Sequence, residues 1–289
     1  MSLSEFSFVV YEAVIYIALA FIFFLIGKFV YQLLHRSINV KEELVKKDNL
    51  AFSLSHVGYF VGLLIAIGSA IVGPSQGLWN DVIVISIYGA LAIVLLNISI
   101  IITDKVLLSR FSVRKEIIED QNEGTGIVEA AVSIASGLII FGAVTGESSS
   151  ISAGIISALA FWFLGQLALL LTGWVYNLIT PYDIHEHIEK DNVAVGIGFA
   201  GALVAMGNLI KFGLMGEFES WDATLSEAGL EVVAGLILLP VMRYITDKIL
   251  LPGENLTDEI VNQEKPNIGA AIIEAFAYIG GSVLITWCL

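Results

Sequence analysis

The stretch Lys47-Asp48-Asn49-Leu50-Ala51 decides the fold, because it returns 143 residues later as Lys190-Asp191-Asn192-Val193-Ala194. Two further pairs of segments follow in the same order, at distances of 143 and 145 residues: 102–108 with 245–251, and 122–130 with 267–275. Three matches in one order indicate a tandem duplication, which fixes the architecture before any single residue is interpreted. The sequence therefore predicts two domains, 1–147 and 148–289.

Long apolar blocks lie between these repeated segments. Hydrophobic residues make up 57% of the chain and charged residues only 15%, whereas a soluble domain carries about 25% charged residues. Each block is long enough to cross a hydrocarbon layer of about 30 Å as a helix of about 20 residues. The blocks are approximately 7–34, 50–73, 82–103, 126–145, 151–179, 193–215, 225–249 and 268–287.

The number of spans in each repeat determines how the repeats are related. Four spans are an even number, so the second repeat enters the bilayer from the same side as the first. We therefore predict an all-α polytopic membrane protein with eight transmembrane helices, arranged as two parallel four-helix repeats. A pseudo-two-fold axis along the membrane normal is the expected relation between them.

The positions of lysine and arginine predict the orientation. Twelve of the 14 basic residues lie in or beside the linkers after spans one, three, five and seven. The positive-inside rule places these linkers in the cytoplasm and both chain termini outside. Lys211, near the outer end of span six, argues against this orientation. The first span lacks a preceding basic residue and a small-residue cleavage site, so we expect a retained helix.

The chain has a net charge of −14, and its predicted outer face carries acidic residues with almost no basic residue beside them. A surface of this kind attracts cations and repels anions. The simpler interpretation is that acidic residues avoid the cytoplasmic face. The acidic residues concerned are Glu5, Glu12, Asp81, Glu147, Glu217, Glu219, Asp222, Glu227 and Glu231.

The second repeat carries a family resemblance. Residues 179–208, together with Asn267–Ala271 and Ile285–Trp287, resemble the small four-helix bacterial inner-membrane proteins of the YjfL-like type, domain-of-unknown-function family 350. The first repeat is the weaker copy, because Leu34-His35-Arg36 stands where the second has Ile-Thr-Pro. The resemblance implies a multi-pass protein of the bacterial inner membrane with its termini outside. It implies no activity, although members that lie near envelope-stress and glutathionylspermidine-type genes point to polyamines or membrane stress.

Glu129 and Glu274 are the leading functional candidates, because they are repeat partners near the cytoplasmic end of the last helix of each repeat. An ionisable group within a span costs at least ~2.5 kcal/mol at mid-bilayer, so it indicates a functional site by default. Each glutamate shares a helix face with small or polar residues, which suits helix contact or a wet cavity. The structural alternative is an interfacial glutamate that bonds a neighbouring helix end.

Polar residues also stand where cytoplasmic linkers enter a span. Asp and Asn side chains accept hydrogen bonds from the free N–H groups at a helix start, so capping is the favoured interpretation. Binding of a cation or polyamine is the alternative. The residues are Asp48, Asn49, Asp191, Asn192, Asn122 and Asn267.

Irregular residues occupy matching depths in the third span of each repeat. Pro240 removes a helix hydrogen bond, and its repeat partner is Asn97. Broken helices at matching points are typical of transporter sites, whereas an ordinary kink and a packing asparagine are the structural alternative. Arg243 stands four residues before Asp247, and this spacing predicts an ion pair on one helix.

Sequence motifs for most other chemistries are missing. The chain contains no Walker-type phosphate loop and no GxSxG or HExxH motif, so we expect no ATP-driven transport and no enzyme activity. Its one cysteine, Cys288, and the isolated pair His185 and His187 predict neither a disulfide nor a metal site. We expect no cofactor and no nucleic-acid partner.

Two functions remain open on these grounds. The first is a passive or gradient-driven cation or polyamine channel or transporter, based on Glu129, Glu274, Asn97 and the acidic outer face. The second is a non-transporting membrane scaffold or envelope-stress partner, whose charged linkers bind peripheral cytoplasmic proteins. The lipid bilayer is the expected environment, and a homo-oligomer is compatible with both functions. A water-filled path between the repeats would favour the first, and a dry, tightly packed centre would favour the second.

Overall fold

A computed structural model describes residues 3–73, 75–145, 150–215, 220–251 and 253–288. This part of the chain forms ten α-helices, and eight of them are long and apolar enough to cross a membrane. The prediction of an all-α fold with eight spans in two parallel repeats is therefore confirmed. The helices are α1 (Leu3–Leu34), α2 (Leu50–Gly68), α3 (Leu78–Val106), α4 (Val113–Ile118), α5 (Glu123–Val144), α6 (Ile151–Ile179), α7 (Ile184–Glu189), α8 (Val193–Leu214), α9 (Trp221–Ile245) and α10 (Ile268–Cys288).

The short helices α4 and α7 lie between spans. Single π-helical turns occupy the corresponding linkers in the other two places, at Glu42–Lys46 and Asp258–Asn262. A third π-helical turn, Thr246–Leu250, extends the span of α9. Each of the inner helices α2, α5, α8 and α10 therefore follows a short turn of helix at the membrane boundary.

The eight spans form two layers. The inner layer is a row in which α2 packs against α5, α5 against α8, and α8 against α10. All four run in the same direction, because each follows a linker on one face of the membrane. The outer layer consists of α1, α3, α6 and α9, which run in the opposite direction. After α1, each outer helix covers the groove between two successive inner helices.

Small residues bring the inner helices into backbone contact. A Cβ atom added at Gly126 would lie 2.4 Å from the carbonyl oxygen of Ala51, and one added at Gly196 would lie 2.7 Å from that of Gly124. Such distances leave no room for a larger side chain. Lipid provides no hydrophobic force between helices, so close packing of this kind is what holds membrane helices together.

The same contact recurs along the whole row. Each inner helix starts after an asparagine, and the four asparagines lie 73, 70 and 75 residues apart: Asn49, Asn122, Asn192 and Asn267. We number the residues of each inner helix from its asparagine, which is position 0. Position 9 of one helix then contacts position 8 of the next, as Gly58 contacts Ala130 and Gly201 contacts Ala275. Each four-helix repeat therefore consists of two similar two-helix units.

This arrangement differs from the expected pseudo-two-fold pair. A two-fold axis that relates the repeats would pack α10 against α2 in the way that α5 packs against α8. In the described part of the chain, α2 and α10 instead lie at opposite ends of the row. The two repeats therefore pack head-to-tail, through α5 of the first and α8 of the second. The even number of spans correctly predicts that the repeats are parallel, but it does not determine the symmetry between them.

The two ends of the row carry larger side chains than its interior. On α2, Val57 and Leu64 stand at positions where α5 and α8 have alanine or glycine. On α10, Phe276 stands where α2, α5 and α8 have Gly58, an alanine and Gly201, and it is 67% exposed. Terminal units of repeat proteins commonly differ from internal ones in this way.

Candidate functional site

Both candidate glutamates lie inside the bundle. Glu129 on α5 is 6% exposed and Glu274 on α10 is fully buried. Each stands seven residues after the asparagine that precedes its helix, which places it about two turns from the helix start. We call the membrane face that carries these asparagines the cap face. Although the two glutamates are repeat partners, their surroundings differ.

In the second repeat, a guanidinium group neutralises the glutamate. Arg243 on α9 donates from Nη1 to Glu274 Oε1 at 2.6 Å, and Tyr278 donates to the same oxygen at 3.0 Å. The hydroxyl of Tyr176 on α6 lies 3.5 Å from it. Arg243 also donates from Nη2 to Thr257 Oγ1 at 3.1 Å. This is a paired, charge-assisted network, which is the arrangement that a buried ion requires.

The predicted ion pair between Arg243 and Asp247 is wrong. Asp247 instead pairs with Lys248 at 2.7 Å and accepts the Leu256 backbone N–H at 2.7 Å. The spacing of four residues places Arg243 and Asp247 on one helix face, but Glu274 on the neighbouring helix is a stronger partner. Its carboxylate is shielded from water, where an ion pair is stronger than on an exposed helix face.

In the first repeat, a second carboxyl group takes the place of the guanidinium. The carboxyl groups of Glu129 and of Asp104 on α3 lie close enough to interact and to share a proton. The residue equivalent to Arg243 is Ile100. Among the described residues no lysine or arginine forms an ion pair with either carboxyl. A hydrogen bond between two carboxyl groups needs a proton on one of them, since an ionised carboxylate only accepts.

Two oxygens of this pair have no partner in the described structure. Glu129 Oε1 and Asp104 Oδ1 are both buried and receive no hydrogen bond from a described donor. A buried polar atom without a partner costs free energy, so each such atom calls for an explanation. Glu274 Oε2 in the second repeat is also buried without a partner among the described atoms, so the two sites differ in the arginine and not in this feature.

Aromatic and histidine side chains surround the carboxyl pair. The ring of Tyr31 on α1 lies 4.2 Å from that of His35 and 4.9 Å from that of His56, measured between centroids. Nδ1 of His56 is buried and has no hydrogen-bond partner among the described atoms. In the second repeat the two histidines are replaced by Thr180 and Phe199. Histidine side chains therefore lie near the carboxyl pair of the first repeat and are replaced at the equivalent positions of the second.

Asn97 extends this polar cluster toward the membrane centre. Its Nδ2 donates to the hydroxyl of Tyr59 at 3.2 Å and to the carbonyl of Ile93 at 2.8 Å. The hydroxyl of Tyr59 donates in turn to the carbonyl of Gly27 at 3.0 Å. Pro240, its repeat partner, lies inside α9 and borders a surface groove of about 330 Å³ beside Arg243. The two irregular positions thus differ in their contacts.

The four cap asparagines accept helix-start hydrogen bonds. Asn49, Asn122 and Asn192 accept from the backbone N–H three residues later at 2.9, 2.8 and 3.1 Å. Asn267 accepts from the N–H of Ala270 at 3.1 Å. Their oxygens thus perform the capping role that the sequence favours, and a direct role in cation binding stays a prediction.

The amide groups of three cap asparagines also link successive units. Asn49 donates to the carbonyl of Ile117 at 2.8 Å, Asn122 to Ile188 at 2.6 Å, and Asn192 to Ile260 at 3.0 Å. The acceptor in each case belongs to the next unit along the row. Asn267 belongs to the last unit and donates to Glu259 Oε2 at 2.6 Å.

The aspartates next to the caps have a different role. Asp48 and Asp191 adopt left-handed backbone conformations, with φ of 53° and 59°. Asp and Asn tolerate this region better than most residues do. Asp48 is exposed, whereas Asp191 Oδ1 accepts from the backbone N–H of Glu123 at 3.2 Å. Asp191 therefore places negative charge at the start of α5, a favourable position for an anion.

Two buried glutamates that accept hydrogen bonds from cap asparagines have pKa values shifted in opposite directions. Burial tends to raise the pKa of Glu43, but hydrogen bonds from Lys47 and Asn49 outweigh it and hold the pKa below its usual value. At Glu116 burial dominates and raises the pKa, although the hydrogen bond from Asn122 lowers it, because the ammonium of Lys115 stays 3.9 Å away. The same structural position therefore carries different electrostatics in successive units.

Comparison with known proteins places the chain in a family. The family model described as Domain of Unknown Function (DUF350) matches twice in tandem, over residues 3–144 and 150–289. The chain belongs to this family. It is also similar to a UPF0719 transmembrane protein of Aquifex aeolicus, with 23% identity over 270 residues that cover 93% of this chain and 96% of that protein. No solved structure matches. The chain is therefore a multi-pass membrane protein with an internal repeat.

Sequence reasoning missed several residues of these two clusters. It did not name Asp104, His56 or Tyr31 as candidate site residues. The duplication offered a signal for two of these residues. Asp104 has the repeat partner Asp247, and Tyr31 has the repeat partner Tyr176. Of the acidic residues predicted for the outer face, Glu147, Glu217, Glu219 and the side chain of Glu5 lie outside the described residues.

Proposed function

We propose that this protein is a gradient-driven cation transporter of the bacterial inner membrane, and that the carboxyl pair of Asp104 and Glu129 binds the coupling cation. The observation that carries the proposal is the contrast between the repeats. At Glu274 the chain supplies its own cation, Arg243. At Glu129 the equivalent position is Ile100, and a second carboxyl group is present instead. A proton or a small monovalent cation from solution would fill that role.

The polar surroundings of the pair support this role. His35 and His56 both contact the ring of Tyr31, and their ring nitrogens can donate or accept hydrogen bonds. Asn97 and Tyr59 add hydrogen-bonding groups deeper in the same bundle. Chains of acidic and histidine side chains within membrane spans are typical of proton pathways in pumps and transporters.

The packing of the inner row supports a transporter rather than an open channel. Its helices touch through their backbones, as Gly62 and Gly137 do, where an added Cβ would lie 2.4 Å from a carbonyl oxygen. A cavity of about 700 Å³ at the junction of the two repeats has neither Asp104 nor Glu129 in its lining. Transport across such a bundle requires a change between two states rather than a permanent path.

The experiment is ion uptake into proteoliposomes. Imposed gradients of H⁺, Na⁺, K⁺ or spermidine would be compared, which also tests the expectation of a polyamine. Asp104→Asn and Glu129→Gln should each remove uptake of the coupling cation. The matched control is Asp247→Asn, which changes the repeat partner of Asp104 and should leave uptake within a factor of two of the wild type. Uptake that survives both substitutions in the first repeat would refute the proposal.

The dense inner row favours a second candidate, a non-transporting scaffold. Its linkers expose charged groups on the cap face, including the ion pair of Arg110 and Asp183 that joins the two repeats. In this case the protein would hold peripheral proteins or a second copy of itself. Chemical cross-linking in native membranes would recover such a partner, whereas a chain that transports ions without any cross-linked protein would exclude this function.

We also propose an orientation of the protein in the membrane, and we propose that it has no enzyme activity. The cap face would be cytoplasmic, in agreement with the positive-inside rule. A reporter that is active only in the cytoplasm, fused after Leu289, should remain silent. A signal from it would reverse the direction of proposed transport, although the carboxyl site would be unchanged.

A further inference from the structure

A cavity of about 700 Å³ lies at the junction of the two repeats, on the membrane face opposite the cap face. Its lining comes from both repeats and from both layers. A volume of this size is typical of small-molecule sites, which usually occupy junctions between structural units. The cavity is separate from the carboxyl pair of Asp104 and Glu129.

Three inner helices end at this cavity. Ser69 follows α2, Thr145 follows α5, and Met215 follows α8, and all three residues line it. The C-terminal end of a helix carries about −0.5 elementary charge from its free carbonyl groups. Because the inner helices are parallel, three such ends of the same sign converge on one space. Their combined potential favours a cation.

Carboxyl groups add to this negative potential. Asp81 and Glu227 line the cavity, and no lysine or arginine is among its described lining residues. Asp81 is held in place by the hydroxyl groups of Tyr16 at 2.5 Å and Ser75 at 2.6 Å. Lys211 is the basic residue one turn before the end of α8, and its ammonium lies over the ring of Phe141 at 4.7 Å.

A buried carboxyl group lies behind one of the lining residues and is not itself part of the lining. Glu231 stands one turn deeper than Glu227 on α9 and is 3% exposed. Its Oε2 has no hydrogen-bond partner among the described atoms. It packs against Gly213, which lines the cavity, and an added Cβ there would lie 2.8 Å from Glu231 Cγ. An unsatisfied buried carboxyl beside a negative cavity lacks a positive partner.

The remaining lining is aromatic and apolar. Tyr16, Tyr88 and Phe161 contribute ring surface. Aromatic rings attract organic cations through their faces, whereas a bare metal ion needs several oxygen ligands at fixed distances. In the described part of the chain no group of three His, Cys, Asp or Glu side chains has the geometry to hold a metal ion. The chemistry therefore fits a cation with an apolar body.

We propose that this cavity binds an organic ammonium ion. The ammonium would face Asp81, Glu227 and the three helix ends, and its carbon groups would contact the aromatic rings. This binding site stands independently of the proposed transport, because it requires neither a gradient nor the carboxyl pair of the first repeat.

The test measures binding to the full-length protein in lipid nanodiscs by isothermal titration calorimetry. Tetraethylammonium chloride is the probe, with NaCl and KCl at equal ionic strength and sodium benzenesulfonate as the anionic comparison. Saturable binding of tetraethylammonium alone is expected. Glu227→Gln should weaken it roughly fivefold, because one carboxylate near the cation is lost. Asp222→Asn removes an equally exposed acid on the same helix outside the lining, and should change affinity less than twofold.

A steric variant tests the location of the site. Ser157 lines the cavity from α6, so Ser157→Phe would fill part of it and should abolish binding. Retention of the wild-type thermal unfolding midpoint would show that this variant is folded. The proposal is refuted if tetraethylammonium binds no better than Na⁺, if Asp222→Asn and Glu227→Gln weaken binding equally, or if folded Ser157→Phe binds normally.

Discussion

Glu129 and Glu274 occupy the same position in two copies of one unit, yet only one of them has a cation of its own. Glu274 is bound by Arg243 and by two tyrosine hydroxyls. Glu129 lies beside the carboxyl group of Asp104. The difference teaches that in the second copy the chain provides the cation that its buried carboxylate pairs with. The first copy keeps an incomplete site, which is suited to exchange an ion with solution.

The difference arises from few substitutions. Ile100 and Arg243 are repeat partners, and so are His56 and Phe199. After a duplication, one copy is sufficient to hold the bundle together, so the other can lose the arginine and retain unpaired polar groups. Such groups reduce stability, which a structural role alone would not favour.

The largest expected effect follows removal of the arginine. Arg243→Ile gives the second repeat the residue found at position 100 and leaves Glu274 buried without a cation. The free energy of unfolding should fall by about 3–5 kcal/mol, the usual cost of breaking a buried ion pair. Unfolding in mixed detergent micelles would measure it.

A double variant serves as the control for this prediction. Arg243→Ile combined with Glu274→Gln removes both charges and should recover most of the lost stability, because a neutral buried pair carries no uncompensated charge. If the double variant is as unstable as the single one, the damage comes from lost packing of the arginine side chain. The contrast between the two glutamates would then not be electrostatic.

The two Glu→Gln variants compare the sites directly. Glu274→Gln leaves Arg243 without its carboxylate and should cost about 2–3 kcal/mol, as expected for a charged hydrogen bond in a buried site. Glu129→Gln should change stability by less than about 1 kcal/mol, because the new amide can donate to Asp104. Equal losses in thermal unfolding of the two variants would show that both glutamates are structural.

Much of this arrangement follows from the sequence, and the reasons are physical. Helix starts are predictable because an asparagine oxygen satisfies N–H groups within three residues, as Asn122 does. Spans are predictable because backbone groups in lipid must bond within their own helix. Both are local effects, so a single segment contains the required information.

The partners of buried charges are not local. Arg243 can reach Asp247 on its own helix or Glu274 on the next, and only the packing of α9 against α10 decides between them. The carboxyl pair of Asp104 and Glu129 depends in the same way on how α3 lies against α5. The two-helix unit is also difficult to recognise in the sequence, because few residues other than the cap asparagines recur in its copies. A glutamate, such as Glu43 or Glu116, recurs in all but one of the units.

Giving the first repeat an arginine would sharpen the comparison further. Ile100→Arg places a guanidinium at the position equivalent to Arg243, where it should bind the carboxyl pair permanently. Cation uptake by proteoliposomes should fall at least about tenfold, since a tethered charge competes with any free cation. Ile100→Met is the control for changed packing, and it should retain uptake. Normal uptake by the arginine variant would mean that the pair is not the ion site.

The smallest expected difference concerns the cap asparagines at the starts of α5 and α10, which are repeat partners. Asn122→Ala removes a cap, worth about 1 kcal/mol, and also leaves the Ile188 carbonyl of the next unit without its donor, which costs about 1 kcal/mol more. Asn267→Ala also removes a cap, and each alanine variant loses a hydrogen bond to a glutamate of its own unit, Glu259 or Glu116, so these losses offset each other in the comparison. Thermal unfolding should therefore show Asn122→Ala to be the more damaging by about 1 kcal/mol. Serine keeps a capping oxygen but lacks the amide, so Asn122→Ser should retain the cap contribution and lose the hydrogen bonds to Ile188 and Glu116. Equal effects of the two alanine variants would mean that the head-to-tail hydrogen bonds add nothing to the stability of the row, and that its cohesion comes from the contacts between small residues alone.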